Sequence, residues 1–372
     1  MKKSIRKSIA LSLILVAITT LGMLVASCSK KSDKKEVVAM LPLTGDLAFL
    51  GEPGRIALQI AQTDLQNSGK PLSFAIDDTK ASPEETITLM RKEKDVNGRN
   101  IFIVTLSGPS MAARESFARE DVAILAVAIH PDLPSSNAPI VRFCFSAKQE
   151  ADMLVQKMSQ SQESIGLVLS HDAATTFEAE RIIIPALQAT GKKIAFTEWF
   201  DVGNKDFHNL AARYSEQKPK ELLVLGYGSD FPAALEAIAV SRETDDVTIY
   251  GGIGFVEMEH PPAGFDKSKF RIAVPAFSIG SDNPAARSFR DKFKAAKGSL
   301  PSYDAAFTYD AAMVLGDLAE KGVTQPKDVI AALKNHSFEG VSGRITIDDT
   351  GEARTDMRWA AYGANGLEEL KQ

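Results

Sequence analysis

Cysteine is scarce in this chain, with two residues among 372. Two cysteines allow at most one disulfide, which excludes a small domain held together by a disulfide framework. Positive charge is not in excess either, because 43 Lys and Arg stand against 48 Asp and Glu. We therefore predict no basic face for nucleic acid. Cys144 lies between Phe143 and Phe145, and this apolar setting predicts a small residue of a hydrophobic core.

Motifs that mark enzymes and cofactor sites are missing. No phosphate-binding P-loop occurs, and residues 251–254, Gly-Gly-Ile-Gly, lack the spacing of a dinucleotide fingerprint. His171 and Asp172 offer acid and base groups, but no nucleophile pattern accompanies them, so a polar loop is the favoured interpretation. Asp77 and Asp78 are neighbours in a predicted strand and point to opposite faces, which disfavours a metal pair. We predict neither an enzyme nor a cofactor or metal site.

The N-terminus combines basic, apolar and small residues in a fixed order. Basic residues precede the apolar residues 9–26, and Ala26 and Ser27 come directly before Cys28. This ending resembles the lipobox of bacterial lipoproteins. The resemblance implies that residues 1–28 are a lipoprotein signal peptide with its lipobox, and that Cys28 receives diacylglycerol and begins the mature chain. The alternative is an uncleaved transmembrane anchor, because the apolar stretch is about long enough to span a bilayer; an anchor gives no reason for a small-small-Cys ending.

The residues after Cys28 fit a lipid-anchored chain. Residues 29–36 are polar and rich in lysine, which predicts a flexible tether lying against anionic head groups. Two or three acyl chains such as palmitate would hold the protein on a membrane, because each buried methylene contributes roughly 0.8 kcal/mol. With Cys28 acylated, Cys144 has no disulfide partner. About 345 residues remain after processing, which suits two domains rather than one.

From residue 37 onward, short β-branched runs alternate with amphipathic stretches, which indicates parallel βαβ units. Ser82-Pro83-Glu84-Glu85 is a capping box with proline at the first helical position, and it predicts a helix to about Val96. Apolar runs such as residues 221–225 are typical of strands buried on both faces, so two doubly wound lobes are predicted. The predicted strands are 37–41, 72–77, 101–105, 122–127, 164–169, 193–200, 221–225 and 247–250; the predicted helices are 54–66, 83–96, one from 110, 147–159, 176–189, 206–214 and 231–240.

Several segments carry a family resemblance when taken together, in this order and spacing. Residues 41–51, Leu-Pro-Leu-Thr-Gly-Asp-Leu-Ala-Phe-Leu-Gly, are followed by Ala57 and Ala61 on the first helix. Later segments are Asp77-Asp78 with the Pro83 helix, then residues 200–213, 301–311 and 338–351. From residue 38 to about residue 362, the chain resembles the type I periplasmic solute-binding proteins of the branched-chain amino-acid binding kind.

The resemblance implies an α/β fold of two doubly wound, Rossmann-like lobes joined by three crossover segments, near Phe145, Pro275 and Ile345. Residues 37–145 and 276–344 would form the first lobe, and residues 146–275 and 345–372 the second. In this family the ligand binds in the cleft between the lobes. Contacts made by both lobes exist only in the closed state, so ligand binding shifts the population towards closure.

The location of the ligand loops can be predicted from the fold class. In open α/β sheets, ligands bind beyond the carboxyl ends of the strands, where loops lead into helix N-termini whose free amides attract anions. Small residues in the loop 106–110 let a carboxylate approach backbone N–H groups closely. The candidate loops are 42–53, 106–110 and 128–134 in the first lobe, and 170–177, 226–231 and 251–256 in the second.

The resemblance implies that Ser107 or Ser110 holds a ligand carboxylate, but two polar anchors of the amino-acid binders are absent. Residues 128–130, Ala-Ile-His, offer no hydroxyl, and Ile253 stands where an acidic residue would meet the ammonium. A buried ammonium without a partner costs several kcal/mol. The hypothesis is therefore a less polar solute, such as a carboxylate, amide or aromatic acid, unless Asp172, Asp230 or Glu257 receives an ammonium. The predicted ligand contacts are Leu50, Ser107, Gly108, Ser110, Ala128, His130, Phe177, Tyr227 and Ile253.

Together these features predict a monomeric, lipid-anchored protein of the cell envelope that faces the periplasm or the cell exterior. It would capture a small molecule, an amino acid or a related carboxylate or amide, for an ABC-type importer whose permease lies in the cytoplasmic membrane. The alternative is a ligand-sensing or regulatory lipoprotein that presents its closed form to a receptor or a cell-wall synthase. No nucleic-acid partner is predicted.

Overall fold

A computed structural model describes residues 35–45, 47–70, 72–134, 137–226, 230–240, 244, 246–258, 260–280, 283–364 and 366–370. The predicted signal peptide, the predicted acylation site Cys28 and most of the predicted tether lie outside these residues. From Glu36 onward the described residues belong to one unit. Among them, no helix combines the length and the apolar character needed to cross a membrane.

The first lobe is built on a five-stranded sheet in the order β2-β1-β3-β4-β5. The pairs β1–β3, β3–β4 and β4–β5 are parallel. All five residues of β4 are buried, as expected for a strand covered by helices on both faces. The strands are β1 Lys35–Leu41, β2 Leu72–Asp78, β3 Ile101–Thr105, β4 Ala123–Val127 and β5 Ile140–Arg142; the helices between them are α1 Ala48–Asn67, α2 Pro83–Asp95 and α3 Ser107–Ser116.

The second lobe is built on a seven-stranded sheet in the order β15-β14-β10-β9-β8-β6-β7. Its strands β6 to β10 pair in parallel, while β14 and β15 add an antiparallel edge. The strands are β6 Ile165–Ser170, β7 Ile194–Phe200, β8 Glu221–Leu225, β9 Thr248–Gly251, β10 Phe270–Pro275, β14 Met357–Gly363 and β15 Gly366–Glu369; the helices are α4 Ala147–Met158, α5 Ala173–Phe177, a π turn Glu178–Ile183, α6 Ile184–Ala189, α7 His208–Gln217 and α8 Asp230–Ala239.

Three further helices and a small antiparallel sheet follow β10. The helix α10 packs against α1 of the first lobe, and its buried Asp310 accepts the backbone N–H groups of Val341 and Ser342, each at 2.8 Å. The chain thus passes from the five-stranded to the seven-stranded sheet after β5, leaves the seven-stranded sheet after β10 and returns to it between β13 and β14. The third crossing was predicted near Ile345, and Ile345 lies within strand β12. The residue bounds of the two lobes stay a prediction. The elements are α9 Pro284–Lys297, α10 Tyr303–Glu320, α11 Pro326–Leu333, β11 His336–Gly340, β12 Gly343–Ile347 and β13 Ala353–Thr355.

The predicted α/β fold of two doubly wound lobes is confirmed, and the differences are local. The Ser82 hydroxyl accepts the Glu85 N–H, so the predicted cap of α2 is present. Helix α1 begins at Ala48, six residues before the predicted start, and includes Pro53. The extra turn is possible because Gly51 has no side chain: a Cβ there would lie 1.9 Å from the Pro42 carbonyl oxygen. The short strand β5 was missed, because three residues leave almost no periodicity.

Candidate functional site

A cavity of about 450 Å³ lies between the two lobes. Its first-lobe walls come from the loops after β1, β3 and β4, and its second-lobe walls from the end of β6, the start of α5 and the turn after β7. Most lining side chains are apolar, and among the described residues none of the lining side chains is Lys, Arg or His. The cavity therefore suits a small, largely apolar solute.

The loop before α3 brings backbone donors to the cavity wall. Leu106 has φ of +69°, a conformation that costs a non-glycine residue free energy and often marks ligand sites. It turns the chain so that Ser107 and Gly108 begin the helix and line the cavity. The N–H groups of the first helical residues have no acceptor within the helix, and the helix dipole favours an anion there. Ser110 lies behind this wall, fully buried, and its hydroxyl donates to the Val104 carbonyl at 3.4 Å.

The loop after β1 is held in place by Asp78 at the end of β2. One carboxylate oxygen of Asp78 accepts the N–H groups of Leu43 at 2.8 Å and Thr44 at 3.2 Å, and the other accepts the Thr44 hydroxyl at 2.5 Å. Burial is the largest single influence and raises the pKa of Asp78, but the hydrogen bonds from Thr44, Lys80 and Leu43 together bring that pKa below its usual value. Asp78 thus fixes the loop that precedes α1 through charged hydrogen bonds, and α1 contains the cavity residue Leu50.

The wall after β4 is braced by Arg142, whose side chain is fully buried. Its guanidinium donates to the carbonyl oxygens of Ala128 and His130, and its Nε lies 3.0 and 3.1 Å from the two carboxylate oxygens of Glu352. Burial, the largest influence, raises the pKa of Glu352, and the Arg142 charge opposes that rise. One side chain therefore joins the cavity loop that contains Ala128 to the segment that leads into the third crossing.

The second lobe contributes Ser170 and Asp172 to the cavity. Asp172 is the N-cap of α5, and its Oδ1 accepts the N–H groups of Ala174 at 3.0 Å and Thr175 at 2.9 Å. These helix amides therefore already have an acceptor, whereas α3 has no side-chain cap among the described residues. The other oxygen of Asp172 is buried and has no hydrogen-bond partner among the described residues.

A second cavity of about 10 Å³, the size of one water molecule, lies within the second lobe and holds two buried carboxyl groups. Glu150 accepts the Ile253 N–H at 3.0 Å, while one buried oxygen of Glu178 has no hydrogen-bond partner in the part of the chain that the structure describes. The glycines of residues 251–254 explain this packing: a Cβ on Gly252 would lie 1.8 Å from the Glu150 carboxyl, and one on Gly254 would lie 2.0 Å from the Gly226 carbonyl oxygen. The Gly-rich segment makes room for polar atoms.

These two carboxyl groups favour their protonated forms. Burial raises the pKa of Glu150 to about 8, and the Ile253 N–H only partly opposes the rise. Burial, followed by the charges of Glu150 and Asp172, raises the pKa of Glu178 well above its ordinary value. At neutral pH the pair therefore carries at least one proton, because ionising both groups would place like charges in a medium of low dielectric.

The structure brings four of the predicted ligand contacts together at the large cavity: Leu50, Ser107, Gly108 and Ala128 line it. The other predicted residues lie elsewhere or outside the described chain. His130 and Phe177 contact each other with ring centroids 5.3 Å apart, Ser110 and Ile253 are buried away from the cavity wall, and Tyr227 lies outside the described residues. All nine assignments stay predictions.

Sequence reasoning missed several residues that line the cavity. Tyr303 and Asp304 open α10, and Cys144 follows β5 rather than only filling the core. Burial, the largest influence, raises the pKa of the Cys144 thiol to about 12, so the thiol is an unreactive wall group. The Ser302 cap of α10 was a readable signal for a helix N-terminus, but its position at the cleft depends on the second crossing.

Within the described ranges, no cluster of three or more His, Cys, Asp or Glu side chains is arranged to hold a metal ion.

We predict that Arg142→Met lowers the free energy of unfolding by about 3–5 kcal/mol, because Glu352 and two carbonyls lose their buried partner. The measurement is urea denaturation at pH 7. Arg344→Met is the matched control: Arg344 pairs with Glu339 in an exposed setting, and its loss should be far smaller. Equal midpoints for Arg142→Met and the wild type would show that the guanidinium is not a structural brace.

We predict that Glu178→Gln reduces the pH dependence of stability. Because folding raises the pKa of both carboxyl groups, the folded protein binds more protons than the unfolded chain above about pH 4.5, and wild-type stability falls as pH rises towards about 8. The slope per proton is up to about 1.4 kcal/mol per pH unit. Thermal unfolding between pH 5 and 8 should show a flatter curve and a higher stability at pH 8 for Glu178→Gln, while Glu163→Gln, at an exposed position, keeps the wild-type slope. Parallel curves for all three proteins would contradict a buried proton.

Comparisons with known proteins agree with this architecture. Residues 36–366 match the family model described as periplasmic binding protein. The leucine-, isoleucine-, valine-, threonine-, and alanine-binding protein of Pseudomonas aeruginosa is 22% identical over 339 residues, which is 88% of this chain and 90% of that protein.

Solved structures share the fold at low identity. A solute-binding protein of an ABC transporter from Rhodopseudomonas palustris, in complex with 3,4-dihydroxybenzoic acid, has a TM-score of 0.75 at 18% identity and covers 90% of this chain and 96% of its own. The branched-chain amino acid transporter substrate-binding protein of Streptococcus pneumoniae, in complex with isoleucine, has a TM-score of 0.73 at 17% identity and covers 91% of this chain and 100% of its own. The chain belongs to the periplasmic binding protein family and is a type I solute-binding protein.

Proposed function

We propose that this protein captures a small carboxylate with an apolar body between its lobes and delivers it to an ABC-type importer. One observation carries the proposal: Ser107 and Gly108, the first residues of α3, line a cavity that is otherwise mostly apolar and has walls from both lobes. The first N–H groups of a helix have no acceptor within the helix. Ser107 adds a hydroxyl at the same point. A carboxylate bound there would be held by the first lobe, while its apolar body contacts the aliphatic walls.

A zwitterion is less well served by this cavity than a simple acid. Asp172 is engaged as a helix cap, and Asp304 is engaged by a neighbouring group. Asp230 accepts the Gly203 N–H, and the side chain of Glu257 is not described. Ile253 does not line the cavity, and the second oxygen of Asp172, which has no hydrogen-bond partner among the described residues, is the acidic wall group that an ammonium would meet. The ligands named for two similar proteins, 3,4-dihydroxybenzoic acid and isoleucine, are both carboxylates, and we favour the aromatic or aliphatic acid over the amino acid.

The lipid anchor belongs to the same proposal. The basic start, the apolar stretch and the Ala-Ser-Cys ending at Cys28 support an acylated protein on the outer side of the cytoplasmic membrane or beyond it. An anchored binding protein keeps its ligand near the permease. The sensing alternative, in which the closed form meets a receptor or a cell-wall synthase, uses the same cleft, and genes for a permease and an ATPase beside this one would favour import.

We predict micromolar or tighter binding of benzoate or 3,4-dihydroxybenzoate by the purified protein, because each combines a carboxylate with an apolar ring. Isothermal titration calorimetry should compare these acids with benzamide, which lacks the anionic charge, and with leucine, isoleucine and valine. Benzamide should bind at least tenfold more weakly than benzoate. Ser107→Ala should weaken the binding of the acid, whereas the buried Ser110→Ala serves as the matched control.

Three results would count against this proposal. Micromolar binding of leucine, isoleucine or valine, with no binding of the aromatic acids, would return the protein to the amino-acid binders. Equal affinity for benzoate and benzamide would remove the role of the α3 amides. Absence of binding for the whole panel would overturn the carboxylate assignment.

A further inference from the structure

The water-sized cavity of the second lobe lies directly behind the wall of the large cavity. Asp172 lines the large cavity and accepts the Thr175 N–H at 2.9 Å, and Thr175 in turn lines the small cavity. Gly226 also lines the small cavity, and a Cβ on Gly226 would lie 3.1 Å from the Cβ of Ser170, a wall residue of the large cavity. A single layer of residues therefore separates the two cavities.

Three carboxyl groups adjoin this layer, and two of them have an oxygen without a partner. Glu150 and Glu178 are each 2% exposed and line the small cavity. Glu150 accepts the Ile253 N–H, whereas one oxygen of Glu178 and the buried second oxygen of Asp172 have no hydrogen-bond partner among the described residues. A buried carboxylate that lacks donors is strongly disfavoured. A proton on the pair compensates for the missing donors, and the small cavity has room for one water molecule that could carry that proton between the two groups.

Basic side chains do not take over this role in the part of the second lobe that the structure describes. None of them lines the small cavity. The basic residues of the two flanking helical segments are placed elsewhere: Lys148 pairs with Asp152, Lys157 lies about two turns along α4 from Glu150, and Arg181 lies over the Phe177 ring. The charges that act most directly on the pair are therefore those of carboxyl groups.

We propose that Glu150 and Glu178 form a proton-binding site that is linked to the ligand cavity through Asp172, so that a proton and an anionic ligand favour each other's binding. This inference rests on the proposed function. A ligand carboxylate adds negative charge to the cavity that Asp172 lines, and this charge favours the protonated pair. By reciprocity the protonated pair favours the ligand. As the pH rises and the pair ionises, the second lobe repels the anion and the affinity falls.

The first test is calorimetric titration of benzoate between pH 6 and pH 9, a range in which benzoate stays ionised. The wild type should bind at least about threefold more weakly at pH 9 than at pH 6. At pH 8, binding enthalpies in two buffers of different ionisation enthalpy should reveal the uptake of a fraction of a proton. The double variant Glu150→Gln with Glu178→Gln imitates the protonated pair, so it should keep the tighter affinity at pH 9 and take up no proton. Glu163→Gln, at an exposed position, is the matched control and should behave as the wild type.

The second test needs no ligand. Asp172→Asn removes the wall charge and keeps the helix cap, because Asn caps about as well as Asp. The charge of Asp172 contributes, after burial and the charge of Glu150, to the raised pKa of Glu178. Its removal should therefore lower that pKa, and thermal unfolding should show a smaller loss of stability between pH 6 and pH 8 than in the wild type. Asp121→Asn, at an exposed position of the first lobe, should keep the wild-type slope.

The outcomes separate this inference from the proposed function. Equal benzoate affinity at pH 6 and pH 9, or a pH dependence that survives in the double variant, would overturn the proton site and leave carboxylate binding intact. If the double variant did not fold, Glu178→Gln alone should still show a weaker pH dependence than the wild type. A wild-type slope for Asp172→Asn would overturn the link through Asp172. If the wild type bound no carboxylate at either pH, the proposed function would fail, and the anion-linked proton site would fail with it.

Discussion

The buried guanidinium of Arg142 is the constraint on which the arrangement of the first lobe and the hinge depends. It stands at the end of β5, where the chain leaves the first sheet, and donates both to the cavity loop and to Glu352 near the third crossing. The backbone N–H of Arg142 also donates to the Gly351 carbonyl oxygen at 2.9 Å. A buried charge is tolerated only when it is paired and fully hydrogen-bonded. The guanidinium therefore requires three segments to stay together, and two of them adjoin the cleft.

The two lobes place charge differently around the cavity. The first lobe offers backbone amides at α3, whose partial positive charge is part of the helix and needs no basic side chain. The second lobe buries Glu150 and Glu178 below Asp172, with a glycine-lined cavity between them. Protonation keeps this pair from acting as a full negative charge at neutral pH. Among the described residues the cavity wall contains Asp172 and Asp304 but no basic side chain, so the start of α3 is where the wall offers partial positive charge.

Much of the fold could be predicted from the sequence because the strands are apolar and the caps are strong. The strands Ile101–Thr105 and Glu221–Leu225 have the bounds that their apolar runs predict, and the Ser82 cap marks the start of α2. The errors occur where local preference and tertiary packing disagree. The first helix was predicted from residue 54, but the close approach of Gly51 to Pro42 allows it to begin at Ala48. The helix predicted over 176–189 contains a π turn, and no residue preference predicts such a turn.

The site was harder to predict than the fold for a physical reason. Loops at the carboxyl ends of strands can be located by rule, and Leu50, Ser107, Gly108 and Ala128 follow from that rule. Tyr303 and Asp304 reach the cavity only because the chain leaves the second sheet after β10, so their place in the wall depends on contacts between segments far apart in sequence. The free amides at α3 have no side-chain signature at all, and Leu106, whose strained conformation exposes them, is an ordinary apolar residue in the sequence. The cavity wall thus depends on backbone groups and on residues brought together from distant segments of the chain, and composition and periodicity carry little information about either.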